Sequence, residues 1–448
     1  MKRKILYLLV GLILLESCSK KIEINPTQSV PENLVFNSDA NIKAALNGAY
    51  DLASDGFVLG GDMMLYSELL AAGDEISWVG TYNQPREMYR QAILTNNSYV
   101  ASTWARSYRT INVCNNILAN ISKVNAADQD RIKGEALFLR GLIYFQMVEL
   151  FAKPYSAGNV GSNLGLQLIT VPTVDGQITD ANRVPRSSVQ DTYTLILNDL
   201  NTAKPLLNED LGVYASKYAA AAILSRVYLQ MENFAKARDE ANYVIQNSGA
   251  ALATTYDKAF NNSDPSSEDI FTLPVTAQDG TNDMWLFWST SDYGARDGDV
   301  EIEDAHLDLY DLADARLALF WQSSGVTYSG KFRNQYKNLS QIRLAEMYLT
   351  RAECNFRLGT NLGATPAADI STIRDRAGLG AVGVVTLPDI ILERHLELAH
   401  EGQRLHDVKR LRLTISGVPY NSNKIVFPIP LREINAIGAS ILVQNDGY

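Results

Sequence analysis

The chain has 448 residues, 46% of them hydrophobic, and 50 acidic against 40 basic side chains give it a net charge of −10. That balance excludes functions that need a broadly basic surface, nucleic-acid binding above all, because affinity for phosphates comes from Lys and Arg releasing counterions. With only 3 cysteines and no CxxC spacing, neither a disulfide framework nor a Cys-rich metal site organises the fold.

At the N-terminus Lys2, Arg3 and Lys4 precede an apolar run from Ile5 to Leu15, which is too short to span a bilayer and reads as a secretory signal. Leu15-Glu16-Ser17-Cys18 follows, a small residue before a cysteine at the cleavage position, in the manner of a bacterial lipobox with Glu16 as an imperfect residue. The expectation is a signal peptide over residues 1–17 and an acylated Cys18. Each acyl methylene buried in lipid contributes about 0.8 kcal/mol, so several chains make a stable anchor. Loss of Lys2, Arg3, Lys4 and Glu16 takes the net charge from −10 to −12. Cys114 and Cys354 lie in helical patterns among apolar neighbours and read as small buried hydrophobes, with a single disulfide between them as the alternative.

Apolar residues recur at helical spacing over Ala40–Ala53, Val100–Ile121, Arg131–Phe151, Ser188–Leu200, Ser216–Gln230, Phe234–Gln246, Ile342–Leu358, Ala367–Ala377 and Leu387–Leu411. Asp39 and Asn233 stand where first turns need their N–H groups capped, and Gly359 and Gly378 where helices should stop. Ala221, Leu224, Tyr228, Phe234, Ala237, Ala241 and Val244 follow the spacing of a tetratricopeptide helix pair, in which small residues let two helices approach closely. Ser188–Leu200 and Arg343–Ala377 read as looser pairs. The fold class is therefore all-α, one helical body with tetratricopeptide-like pairs and long irregular loop insertions.

Those insertions are Pro154–Pro185 and Asn247–Ser340, rich in Gly, Asp, Asn, Ser and Thr. Loops of such length in a folded protein are commonly functional. The second holds Trp285, Phe287, Trp288, Tyr293, Tyr310, Trp321 and Tyr328, and the irregular stretch Gly73–Gln91 adds Trp78, Tyr82 and Tyr89 among polar residues. Ring faces beside amides, carboxylates and guanidiniums suit a sugar, whose C–H face stacks while its hydroxyls need donors and acceptors. The contact residues expected on this reading are Trp78, Tyr82, Trp285, Trp288 and Tyr293, with Asn83 and Arg86 as polar partners. The competing reading of the same rings is that they anchor loops onto the helices.

No catalytic residue, metal ligand or cofactor site is assigned. Glu393, Arg394, Glu397, Glu401, Arg404 and Asp407 alternate in sign at three- and four-residue steps and read as a structural ion-pair stripe along one helix. His395 and His400 are five apart, which does not give the shared helical face of a His-Glu-x-x-His zinc motif. Asp297, Asp299, Glu301 and Glu303 offer oxygen ligands of the Ca²⁺ type without an EF-hand pattern, and read more simply as a solvated acidic loop or edge strand. Carboxylate pairs for glycoside hydrolysis exist in any acidic chain and discriminate nothing.

Ordered motifs in the C-terminal half carry a family resemblance. Arg343-Leu-Ala-Glu-Met-Tyr-Leu-Thr-Arg-Ala-Glu353 is followed by Ile370-Ser-Thr-Ile-Arg-Asp-Arg-Ala-Gly-Leu379, then Glu393-Arg-His-Leu-Glu-Leu-Ala-His-Glu-Gly-Gln-Arg404 with Asp407 and Arg410. Phe427-Pro-Ile-Pro430, Glu433-Ile-Asn435 and Gln444-Asn-Asp-Gly-Tyr448 close the series. The chain resembles the SusD/RagB family over nearly its whole length, departing from it at Ala436-Ile437, where Asn-Pro is usual, and at Asp446. The resemblance implies one SusD-like domain over 18–448, with an N-terminal part over 18–210 and a tetratricopeptide-like and C-terminal part over 211–448. It further implies a surface-exposed outer-membrane lipoprotein of Bacteroidetes that sits on a SusC-like TonB-dependent transporter and delivers oligosaccharides to it. Helix pairs would face the transporter and loops would form the ligand site. Peptide capture, a lid with little ligand affinity of its own, and a hydrolase are the alternatives.

Labelling cells with radioactive palmitate should mark the wild-type chain and leave Cys18→Ala unlabelled; equal labelling of both would contradict acylation at Cys18.

Overall fold

The structure, a computed structural model, describes residues 35–173, 179–278 and 282–448; the signal segment and Cys18 lie outside them. The helical periods become a stack of neighbouring helices, α1 (Asp39–Ser54), α2 (Asp62–Leu70), α3 (Ser98–Ala119), α4 (Ala126–Phe151), α5 (Val189–Ala203), α6 (Lys217–Gln230), α7 (Phe234–Asn247), α8 (Leu344–Leu358), α9 (Pro366–Arg376), α10 (Leu387–Glu397) and α11 (Arg404–Arg410). Packing runs α1 on α3, then α3, α4, α5, α6 and α7 in succession, then α7 on α8 and α8 on both α9 and α10. In α4 nearly every position from Gly134 to Phe151 is buried, as a helix enclosed on all sides requires. Among the described residues no helix is long and apolar enough to cross a membrane.

Close approach comes from small residues, as the tetratricopeptide spacing predicts. Ala219, Ala220, Ala221 and Ala222 of α6 are fully buried, and Ser225 Oγ donates to the Ala237 carbonyl of α7 at 2.9 Å. Successive helices are then laced by buried arginines. Arg140 of α4 reaches Asp199 of α5 through two bonds of 2.7 Å and Asn115 of α3 at 2.8 Å. Arg351 of α8 reaches Asp369 of α9 at 2.9 and 2.5 Å and Asn242 of α7 at 2.8 Å. Paired forks of this kind fix orientation as well as distance.

Asn233 caps α7 by accepting from the Lys236 N–H, and Gly359 and Gly378 have left-handed backbones after α8 and α9. At α1 the cap is Ser38 instead, and Asp39 pairs with Lys43 one turn on. Cys114 and Cys354 are separate buried thiols, so the disulfide alternative does not hold.

The expected single helix over Leu387–Leu411 is two, α10 and α11, broken where His400 and Gly402 take φ of 66° and 77°. A Cβ on Gly402 would lie 2.8 Å from the Met64 Cα, so the break also allows this turn to press against α2. The charged stripe changes meaning accordingly. Of its residues only Asp407 forms a close local pair, with Arg410 at 2.7 Å. The others reach across elements and are mostly buried. Glu397 meets Arg343 at 3.2 Å and Arg316 at 3.5 Å and also bonds Arg376. Glu401 meets Arg343 at 2.7 Å and Lys331 at 2.6 Å, and Glu393 meets Arg316 at 2.7 Å. Arg394 joins Asp407 at 3.0 Å to Glu346 at 3.3 Å, and Glu346 holds Arg226 at 2.5 Å.

The insertion Asn247–Ser340 carries short strands. Strand β4 (Asp269–Leu273) pairs antiparallel with β8 (Leu339–Arg343) under α6, while β1 (Ile76–Trp78), β5 (Val300–Ile302), β7 (Val326–Ser329) and β6 (Phe320–Ser323) form a sheet in the order β1-β5-β7-β6, and outside this insertion β2 (Leu164–Gln167) pairs antiparallel with β3 (Arg186–Ser188). The acidic alternation at Asp297–Glu303 thus contains an interior strand, not an edge.

Burial alone would raise the Glu397 and Glu346 carboxyls. The charges of Arg376, Arg343 and Arg316 around Glu397, and of Arg226 and Arg394 around Glu346, overcome that and hold both at about 2, against an ordinary 4.5. Folded values below unfolded ones mean stability that is present above pH 4.5 and lost as pH falls towards 2. Glu397→Gln should cost about 3–5 kcal/mol in urea unfolding at pH 7 and flatten the fall in stability between pH 4.5 and 2. An unchanged urea midpoint would contradict a structural role for this carboxylate.

Candidate functional site

The two aromatic-rich irregular segments meet in the sheet. Ile76 and Trp78 of β1 sit opposite Ile302 and Val300 of β5, so residues 73–91 and 283–333 form one layer. The β6–β7 hairpin turns through Ser324 and Gly325, both with positive φ, the geometry of a two-residue primed turn. The short helix Asp283–Trp288 lies against this layer, capped by Asn282, whose Oδ1 accepts from the N–H groups of Met284 and Trp285 at 3.0 and 3.3 Å.

That helix turns its rings inward. Trp288 is 0% exposed, packed beside His400 and Phe332; Trp78 is 6% exposed, beside Phe287; Trp285 is 5% exposed and its Nε1 donates to the Tyr293 carbonyl at 3.1 Å. Three of the expected contact residues therefore anchor the loops, and none offers a ring face to a ligand. The physical reason is area: a Trp in a loop with a hydrophobic body beneath it gains more from full burial than from partial display.

Tyr82 and Tyr293, at 39% and 40% exposure, are the open rings of the expected set. Tyr82 leans on Phe287 and Tyr99, with centroids 6.0 and 6.4 Å away, and the Arg296 guanidinium lies 4.4 Å from its ring. Arg296 is aimed by Asp299 at 2.7 Å and by Thr81 Oγ1 at 2.8 Å. Burial raises the Asp299 carboxyl, with Arg296 pulling the other way. Asn83 and Arg86 lie beside Tyr82 and bond each other at 3.0 Å, Arg86 also donating to the Gly80 carbonyl at 2.6 Å. Tyr293 stands edge-on to Trp321 at 5.0 Å, with the Arg333 guanidinium 5.4 Å from Tyr293 and 5.8 Å from Trp321.

The result is a shelf with two ring–guanidinium groups, Tyr82 with Arg296, and Tyr293 and Trp321 with Arg333. Trp321, Arg296 and Arg333 belong to it and were not among the expected contacts. Part of their signal was present in the sequence, an aromatic in a predicted loop and Arg296 among acidic residues, but nothing local ranked Trp321 above Trp288.

A second concavity of about 640 Å³ opens between α10, α11 and the α6–α7 turn. Its lining is mainly aliphatic, including Leu309, Leu387, Ile391, Leu392, Leu411 and Leu413, with Phe234 as a ring and Arg357, Arg410 and Arg412 in the wall. One end is bounded by Glu75, His395 and Arg404. Here Glu75, His306 and His395 place one ligand-type atom each within 4.8 Å of one another. His395 thus meets a histidine distant in sequence, which spacing to His400 alone does not reveal.

Two family profiles match the chain: one described as "Starch-binding associating with outer membrane" over residues 22–229, and one described as the SusD family over residues 318–426. The chain belongs to the SusD/RagB family. SusD-like protein P2 of Formosa agariphila is 26% identical over 92% of this chain and 91% of its own length, and a SusD-like protein of Bacteroides ovatus is 25% identical over 91% and 82%. A solved SusD superfamily protein of Bacteroides vulgatus superposes with a TM-score of 0.80 at 25% identity, covering 92% of this chain and 99% of that one. Another, from Bacteroides thetaiotaomicron, gives 0.78 at 25% identity, covering 91% and 99%. The helical SusD-like fold, with its tetratricopeptide-type pairs, is therefore shared, and the family is one of carbohydrate-binding proteins.

Proposed function

We propose that this SusD-like protein is a non-catalytic surface lipoprotein that holds oligosaccharides on the shelf of Tyr82, Tyr293 and Trp321 and passes them to a SusC-like TonB-dependent transporter. The observation that carries the reading is that segments far apart in sequence meet in one sheet layer on which half-open rings stand beside guanidiniums. Rings supply stacking to pyranose C–H faces, and Arg296, Arg333, Arg86 and Asn83 supply hydrogen bonds to hydroxyls. The Asp299 and Thr81 bonds hold Arg296 in place before a ligand arrives, which limits the ordering cost of binding. Membrane attachment rests on Cys18, and the acidic net charge suits neutral glycans better than heavily sulfated ones. On this reading the part before residue 210 and the tetratricopeptide-like part after it form a single binding domain.

Peptide capture is the second reading, supported by the aliphatic cleft beside α10. Leucine-rich walls with arginines at the edge fit apolar peptide side chains and a carboxylate better than they fit a sugar.

On a panel of neutral oligosaccharides, Tyr293→Ala with Trp321→Ala should weaken binding by about 1–3 kcal/mol, roughly 5- to 150-fold in Kd, with an unchanged circular dichroism spectrum. Full retention by the double variant would remove the shelf as the site. Leu392→Asp should leave glycan binding intact; if it abolishes capture of a peptide mixture while wild type binds no glycan, the peptide reading replaces the first.

A further inference from the structure

The group around Glu75 is built from three separate parts of the chain: the turn after α2, the short helix Asp304–Leu307, and the last turn of α10. Glu75 Oε2 lies 2.8 Å from His306 Nδ1 and 2.5 Å from His395 Nε2, while Arg404 donates to Oε1 at 2.8 Å. Both imidazoles therefore converge on one carboxylate oxygen, and the guanidinium fixes the other.

Hydrogen counting at His306 is informative. Tyr310 Oη donates to the Leu396 carbonyl at 3.1 Å and lies 3.3 Å from His306 Nε2. A tyrosine has one hydroxyl hydrogen. With that hydrogen on Leu396, Nε2 of His306 is the donor in its contact, and a neutral His306 then turns a bare Nδ1 towards a carboxylate oxygen. Two acceptors facing each other call for a cation to bridge them, either a second proton on His306 or a metal ion. The same arrangement completes the surroundings of a ligating histidine, whose second nitrogen ordinarily donates to an oxygen.

An independent observation lies next to it. His400 is buried, its ring centroid is 4.9 Å from that of His306, and both its nitrogens lack a hydrogen-bond partner. A void of about 10 Å³, the size of one small atom, lies between Glu68, Glu75, His306, His395, His400 and Arg404 on its polar part and Ala71, Ala72, Ile76 and Ala399 on its apolar part.

We infer that Glu75, His306 and His395 form a binding site for a zinc-class divalent transition-metal ion, with His400 beside it as a further nitrogen. Two imidazoles and a carboxylate select such an ion over Ca²⁺ or Mg²⁺, which prefer all-oxygen sites. A shift of a fraction of an ångström outward would bring the three atoms to bonds of about 2.0–2.2 Å. Glu75, His395 and Arg404 also line the 640 Å³ cleft, which gives the ion an entry path. The ion would fasten the loop layer, through His306, to the helical body, through His395. This inference does not depend on which ligand the shelf holds.

The test uses the full mature chain without a polyhistidine tag, stripped with chelator and titrated with ZnCl₂ and, separately, CaCl₂ in a calorimeter. Zinc should bind saturably at a single equivalent and raise the melting temperature, and calcium should do neither. His395→Ala, at a partly exposed position, should lose zinc binding with its circular dichroism unchanged, and Tyr310→Phe should bind about 10-fold more weakly. Absence of zinc binding by wild type, or equal binding by His395→Ala, would overturn the site. Should the variants fail to fold, Co²⁺ added to the wild-type chain decides. Intense visible bands of a low-coordinate, nitrogen-ligated ion support the site, and the weak spectrum of the hexaaqua ion contradicts it.

Discussion

One lattice of buried charge ties this molecule together. Glu268, Asp314, Arg316 and Lys331 come from the long insertion, while Arg343, Arg376, Glu393, Glu397 and Glu401 come from the helical body or its connections, and they interleave where water has been excluded. A buried ion lattice adds little net stability compared with a well-packed apolar core, but losing a single member strands its partners without solvent. Its effect is specificity. A loop of nearly a hundred residues has many ways to drape over a helical stack, and few of them satisfy every one of these charges at once. The break between α10 and α11 belongs to the same arrangement, because a continuous helix would carry Glu401 and Arg404 past Arg343 and Glu75.

From that constraint follows the placement of the shelf. With the insertion fixed, the short helix Asp283–Trp288 sinks its tryptophans into the body, and the residues that remain at the surface are those with a polar end or a guanidinium neighbour. Tyr82 and Tyr293 stay partly exposed while their rings rest on Phe287 and Trp321. Buried anchors below and half-open rings above are one packing solution, and the anchors give the open rings their rigidity. The aliphatic cleft beside α10 has Glu75 and His395 in its lining.

Much of the helical body was legible in the sequence, since apolar spacing, the Ala-rich pair α6–α7 and the glycines after α8 and α9 act locally. The short strands were not, because strands of three to five residues carry too little alternation to stand out, and one pairing, β1 with β5, joins residues more than two hundred positions apart. Charge alternation along Glu393–Asp407 was legible, yet its meaning was not: helical spacing predicts partners one turn away, and the real partners are arginines on other elements. For the candidate site, the sequence pointed to the two aromatic-rich segments, and of the rings expected there Tyr82 and Tyr293 stay half-open, but it could not tell Trp288 from Trp321. Both are tryptophans in irregular, polar surroundings, and only the position of the hydrophobic body decides which is swallowed. The Glu75–His306–His395 group was invisible for the same reason, as its members share no local period.

Native-state hydrogen exchange tests most directly whether the ion lattice makes the loop layer and the helices one cooperative unit. If it does, the paired amides of β5 and β7 will exchange with the same opening free energy as those of α6 and α8, and Arg343→Met will lower all of them together. Exchange of the β5 and β7 amides through a separate, lower-energy opening, unaffected by Arg343→Met, would show that the shelf is held by something other than the buried charges.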